Sequence, residues 1–134
     1  MCELPLAYAN GSSGGNRIDP ETQAVKRQFN PCGLRQIQSL TVGLCIDHQA
    51  IQELSAHLVL PNGSTQELDL QGTSIGGNCL ISGQLLTTTL TAGSWTALNN
   101  IQGDWTVKVR DNITTSSTPM GYLVGWSLQA DGLQ

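Results

Sequence analysis

Two runs near the end of the chain leave few options for its fold. In Gly103-Asp104-Trp105-Thr106-Val107-Lys108-Val109-Arg110-Asp111, the residues Trp105, Val107 and Val109 alternate with Thr106, Lys108 and Arg110. In Gly121-Tyr122-Leu123-Val124-Gly125-Trp126-Ser127-Leu128, the residues Val124, Trp126 and Leu128 alternate with Gly125, Ser127 and Gln129. Successive side chains of a strand point to opposite faces, so each run carries one apolar and one polar face. The two read as a late hairpin of sandwich strands with Trp105 and Trp126 turned into the core.

The same period recurs upstream. Leu40, Val42, Leu44 and Ile46 share one face, and so do Leu54, Ala56, Leu58 and Leu60. Pro61-Asn62-Gly63 then breaks the pattern with a turn, after which Gln66, Leu68 and Leu70 alternate with Glu67 and Asp69, which predicts a second hairpin. Leu80-Ile81, Leu85-Leu86 and the run Thr87-Thr88-Thr89-Leu90-Thr91 predict two further strands, since β-branched threonines suit a half-solvated sheet face. Val25 to Phe29 reads as a short edge strand or a helical turn. The expectation is an all-β chain of about seven or eight short antiparallel strands, a β-sandwich or jelly roll.

At 134 residues the chain is expected to be one domain that buries about two-thirds of the surface of its unfolded chain. Ten acidic against six basic residues give a net charge of −4, and no Lys/Arg cluster exists to neutralise phosphates, which argues against nucleic acid as a partner. No apolar run approaches the roughly 20 residues of a membrane span. The start Met1-Cys2-Glu3-Leu4 lacks a basic n-region and an apolar core. The chain is therefore expected to be either cytosolic or a fragment of a larger protein.

The order of parts in the late runs is a Gly-x-Trp-Thr strand ending in Asp, a polar connection, then Gly-aromatic-Leu before Trp-Ser-Leu. It resembles the P domain of subtilisin-like proprotein convertases, in the variant found on exported bacterial proteins. Ser39-Leu40-Thr41-Val42-Gly43-Leu44-Cys45-Ile46-Asp47-His48 is similar to that family's opening strand, with a His close behind the aliphatics. Gln52-Glu53-Leu54-Ser55-Ala56-His57-Leu58-Val59-Leu60-Pro61-Asn62-Gly63-Ser64 is similar to its acidic-Leu, x-x-Leu, x-x-Pro-x-Gly-Thr segment, with Glu53 where Asp is usual and Ser64 where Thr is usual. Leu98, Ile101 and Gly103 stand for the Leu-x-x-Phe-x-Gly approach to the Trp strand, shortened and without its aromatic. The resemblance spans roughly residues 37–133. It implies a galactose-binding-like β-sandwich over 37–134, preceded by a polar leader or edge segment over 1–36. It also implies a non-catalytic companion domain, secreted or at the cell surface, that packs on and stabilises an attached protease or other passenger. The alternative is an independent glycan- or protein-binding module.

Cys2, Cys32, Cys45 and Cys79 are widely spaced with no C-x-x-C pair, which disfavours zinc. In an oxidising compartment they allow two disulfides in three connectivities, of which Cys2 with Cys32 and Cys45 with Cys79 is preferred; the other reading is four buried, reduced thiols. Ala9-Asn10-Gly11-Ser12-Ser13-Gly14-Gly15-Asn16 is linker-like in composition.

Asp47, His48 and Ser55 or Ser64 supply the residue types of a hydrolytic triad, with His57 a second candidate base. No Gly-x-Ser-x-Gly elbow accompanies them, and adjacent strand residues point to opposite faces, so a catalytic role is not expected. His48 reads better as a turn residue bonded to backbone, and His57 as facing solvent or an edge. Calcium is the one cofactor that the resemblance suggests, because sandwich loops can supply the oxygens it takes. Candidate ligands are Asp104 and Asp111 at the ends of the Trp105 strand, with Asp47 and Glu53 at another loop. A strand would hold Asp104 and Asp111 roughly 20 Å apart, so they cannot share one ion. Asp111 also suits an Asx turn opening Asn112-Ile113-Thr114. Trp95, in a turn-rich stretch, is the one indole available to stack on a sugar. Asn10, Asn62 and Asn112 lie in Asn-x-Ser/Thr sequons.

Overall fold

The computed structural model describes residues 2–11, 14–34, 36–48, 51–70, 74–75, 79, 83–91, 102–113 and 121–133. The predicted Leu80-Ile81 strand, Trp95, Leu98 and Ile101 lie outside the described residues.

The alternating runs become strands stacked in two antiparallel sheets. The strands are β1 (Cys2–Tyr8), β2 (Asn16–Arg17), β3 (Glu21–Gln23), β4 (Gln36–Asp47), β5 (Leu54–Val59), β6 (Thr65–Leu68), β7 (Ser74–Ile75), β8 (Gln84–Thr91), β9 (Thr106–Asp111) and β10 (Tyr122–Leu133). A six-stranded sheet runs in the order β1-β10-β4-β8-β7, with β2 also on β10, and a four-stranded sheet runs β3-β9-β5-β6. The architecture is the expected β-sandwich. Its additional strands β1, β2 and β3 come from the segment before residue 37.

The late hairpin does not form. β9 pairs with β3 and β5, whereas β10 pairs with β1, β2 and β4 in the other sheet. Alternation specifies that each run has an apolar face but not which strand lies beside it. Here the two faces belong to opposite layers of the sandwich, and Trp105 and Trp126 are both 0% exposed within one core. The other predicted hairpin forms, with Val59 opposite Thr65 and Leu58 opposite Gln66. Its turn is closed by Gly63 N donating to Leu60 O at 2.9 Å and Leu60 N donating to Ser64 O at 2.9 Å, and Gly63 takes φ +88°, a conformation glycine adopts freely.

A register shift in β10 moves one predicted core residue. Leu123 faces Ile46 and Gly125 faces Cys45, so Val124 is the extra residue of a bulge. Leu123, not Val124, continues the core row of Trp126 and Leu128. From there the register holds: Trp126, Leu128 and Ala130 stand opposite Leu44, Val42 and Leu40.

The stretch before residue 37 shares this core. Cys2, Leu4, Ala9, Ile18, Ala24 and Phe29 are buried within the same cluster as both tryptophans. Phe29 meets Trp105 edge-on at 5.8 Å between ring centroids. Arg27 lies over the Trp126 ring at 5.3 Å and donates to Trp126 O at 2.9 Å and to Pro5 O at 2.6 Å. Disulfides join Cys2 to Cys32 and Cys45 to Cys79, with Cα atoms 5.7 and 5.5 Å apart. Thiol chemistry is thereby removed from all four cysteines.

Candidate functional site

At one end of the sandwich the chain passes from the six-stranded sheet to the four-stranded one, and three side chains with lone pairs meet there. β4 ends at Asp47, opposite Tyr122, and His48 follows directly. A 3-10 turn over Ile51–Glu53 leads into β5, whose first residue Leu54 stands opposite Asp111, the last residue of β9. Glu53 is held beside the end of β9 by Asn112 N donating to Glu53 O at 2.9 Å. His48 thus comes from one layer, and Glu53 and Asp111 from the other.

The ligand-type atoms of these three residues lie within 4.8 Å of one another. His48 Nε2 is 3.0 Å from Asp111 Oδ2, and the two side chains are 0% and 1% exposed. Asp111 Oδ1 accepts the amide of Ile113 at 3.0 Å, an Asx turn that aims Oδ2 at the imidazole. Asp111 N in turn donates to Pro20 O at 2.7 Å, which fixes the backbone beneath the carboxylate. Glu53 Oε2 is enclosed and, among the described residues, has no hydrogen-bond partner. An unpartnered buried carboxylate oxygen is costly, so this corner is a place where a neutralising charge would be strongly favoured. Gly121 packs tightly on this corner: its φ is +74°, and a Cβ there would collide with Asp47 O and lie 3.0 Å from His48 Cδ2.

Of the four acidic residues proposed from sequence, two converge. Asp111 and Glu53 join the cluster, and Asp47 is exposed on its strand and outside it. Asp104 sits beyond the other end of β9, exposed, accepting Gln28 Nε2 at 2.8 Å at the rim of an open groove of about 510 Å³. Sequence reading did not put His48 with Asp111. They are 63 residues apart, and only the registers of β4 on β10 and of β5 on β9 bring them together.

The triad candidates fall apart in the same way. Ser55 Oγ turns to Asn112 Oδ1 at 3.5 Å, and Ser64 Oγ donates to Asn62 Oδ1 at 2.7 Å. His57 stands on β5 between Glu67 and Lys108 of the neighbouring strands. A second groove, of about 320 Å³, crosses the outer face of the six-stranded sheet between Pro5, Thr41, Gly43, Leu85, Thr87 and Ser127. Among the described residues neither groove is lined by an aromatic ring.

The described residues define an all-β sandwich of two antiparallel sheets with two disulfides. Residues 37–130 match the family described as the proprotein convertase P-domain, and the chain belongs to that family, whose members are non-catalytic accessory domains of proteases. Among solved structures the fold is similar to that of the crystal structure of a serine protease of Aeromonas sobria. That likeness has a TM-score of 0.58 and 16% identity over 96% of this chain and 26% of that one. It is also similar to the crystal structure of the Aeromonas sobria serine protease in complex with its chaperone, with a TM-score of 0.59, 17% identity, and 96% and 26% coverage. The chain therefore spans about a quarter of the length of those proteins. No curated protein matches it. Among the described residues, no helix is long and apolar enough to cross a membrane.

Proposed function

We propose that this domain is the companion of an exported subtilisin-like protease, packing against the attached catalytic domain and stabilising it. The observation that carries the reading is the family match over residues 37–130. The occurrence of the same fold within a longer serine protease chain supports it. Two disulfides suit an oxidising compartment. The mechanism needs a surface and no reactive group. A companion that binds only the folded partner shifts the partner's unfolding equilibrium by mass action, and tethering in one chain keeps its effective concentration high. Ile113 and Tyr122 are each 48% exposed, and they flank the same end of the sandwich as His48 and Asp111, where they offer apolar contacts to a neighbour.

The test is to produce the attached protease with and without this domain and compare yield of mature enzyme and melting temperature. Both are expected to fall on deletion, by several degrees for the melting temperature. Equal yield and equal melting temperature would refute the companion role.

A further inference from the structure

We propose that His48, Glu53 and Asp111 form a binding site for one divalent cation of the zinc class, which ties the end of β4 to the start of β5 and the end of β9. The site does not depend on the companion role and concerns the fold of this chain itself.

Geometry supports it first. Two ligands bound at 2.0–2.2 Å to one tetrahedral ion lie about 3.4 Å apart. His48 Nε2 and Asp111 Oδ2 are already 3.0 Å apart, and all three ligand atoms fall within 4.8 Å of one another. Small side-chain rotations close such a triangle around an ion. Burial supports it independently. Glu53 is half-buried, but its Oε2 is enclosed and has no partner among the described residues, although it lies beside a second carboxylate that is itself 1% exposed. With neutral imidazole the three groups carry two negative charges, which a divalent ion balances in one step.

The donor set selects the ion. Calcium takes six to eight oxygens, and magnesium an octahedron of oxygens, many from water. Here one of three converging ligands is an imidazole nitrogen, and the others are single carboxylate oxygens. Nitrogen with two carboxylates and a fourth position open to water or a neighbour is a zinc-type set. The thiolates that zinc would otherwise prefer are locked in disulfides. The Ile113 amide donates to Asp111 Oδ1 and holds the carboxylate so that Oδ2 faces the imidazole.

The experiment uses the untagged 134-residue chain, stripped with chelator and dialysed into metal-free buffer. Zinc chloride is titrated calorimetrically, with manganese and calcium in parallel and cobalt(II) as a visible-absorption probe. Variants Glu53→Gln, which keeps shape and removes the charge, and His57→Ala, a histidine outside the cluster, are treated alike. The expected result is one zinc per chain and a melting temperature raised by about 5–10 °C at a hundredfold excess over Kd. Zinc affinity should be at least tenfold weaker in Glu53→Gln and unchanged in His57→Ala. Three results overturn the proposal: no zinc binding by the folded chain, equal binding by Glu53→Gln, or binding of calcium alone.

Discussion

Replacing Phe29 by alanine tests whether the segment before residue 37 is part of the fold or merely leads into it. Phe29 is 3% exposed, and its ring meets Trp105 at 82° and 5.8 Å, the T-shaped arrangement that the ring quadrupoles favour. Burying a phenylalanine side chain is worth about 1.5–3 kcal/mol, and the cavity left by its removal raises the cost to about 3–5 kcal/mol. Domains of this size are stable by about 5–15 kcal/mol, so the substitution removes a large fraction of the total. It should lower the melting temperature by about 10–20 °C. Urea unfolding followed by tryptophan fluorescence suits the measurement, because all three tryptophans are retained. At an m-value of about 1.5–2.5 kcal/mol/M the midpoint should fall by about 1–3 M with m unchanged. A double-mutant cycle with Trp105→Leu should return a coupling of about 0.5–1.5 kcal/mol. A midpoint shift below about 0.5 M would refute the reasoning, since it would mean that Phe29 contributes no more than an ordinary surface residue.

Two further outcomes follow from particular contacts. The disulfides close loops with sequence separations of 30 and 34, for which chain entropy predicts about 3.5–4 kcal/mol each. Cys45→Ala with Cys79→Ala should lose about that much by denaturant unfolding, and a non-reducing peptide map should join Cys2 to Cys32; any other linkage would contradict the fold. Arg27→Lys should destabilise by about 1–3 kcal/mol despite keeping the charge, because lysine cannot donate in the same fork to Trp126 O and Pro5 O while lying over the indole. Equal stability of the lysine variant would show that the guanidinium fork is not what matters.

The faces of the strands were legible in the sequence because the pleat imposes a period of two, and Leu40, Val42, Leu44 and Ile46 are all buried. Partnership between strands was not. The runs around Trp105 and Trp126 carry the same local pattern whether they pair edge to edge or face each other across a core, and the structure has them facing. The bulge at Val124 was invisible for a related reason, since the sequence alternates smoothly through it and only pairing with Ile46 and Cys45 reveals the extra residue. Two of the three residues of the candidate site were legible: Asp111 stood out as a carboxylate at a strand end and Glu53 as one in a loop. His48 was passed over as a ligand, although an imidazole at the end of an apolar strand, next to a loop carrying an acid, was the signal that could have recruited it. Asp104, at the other end of the Trp105 strand, and Asp47, at the end of β4, share those positions at strand ends and loops, but strand geometry leaves them outside the cluster.

The segment before residue 37 has a physical task that composition concealed. β10 is twelve residues long, and beyond its pairing with β4 its other edge would present a row of unpaired amides and carbonyls. Long bare edges of that kind invite pairing with other chains. β1 covers this edge from Gly125 to Ala130, and β2 covers Tyr122 and Leu123. β9 has the same problem in the other sheet. There β3 covers Lys108 to Arg110, and the bridge between Arg27 and Trp105 extends the cover toward its start. One short polar stretch therefore supplies a short edge strand to each sheet in place of a long one, and the Cys2–Cys32 bond fixes its first strand to its last part. Apolar anchors are few and far apart along it, Leu4, Ile18 and Phe29 among them, because an edge cover needs backbone pairing along its length and only occasional side chains in the core. That economy is why the stretch reads as a polar leader or edge segment, and why the core beneath it depends on residues that no periodic pattern marks.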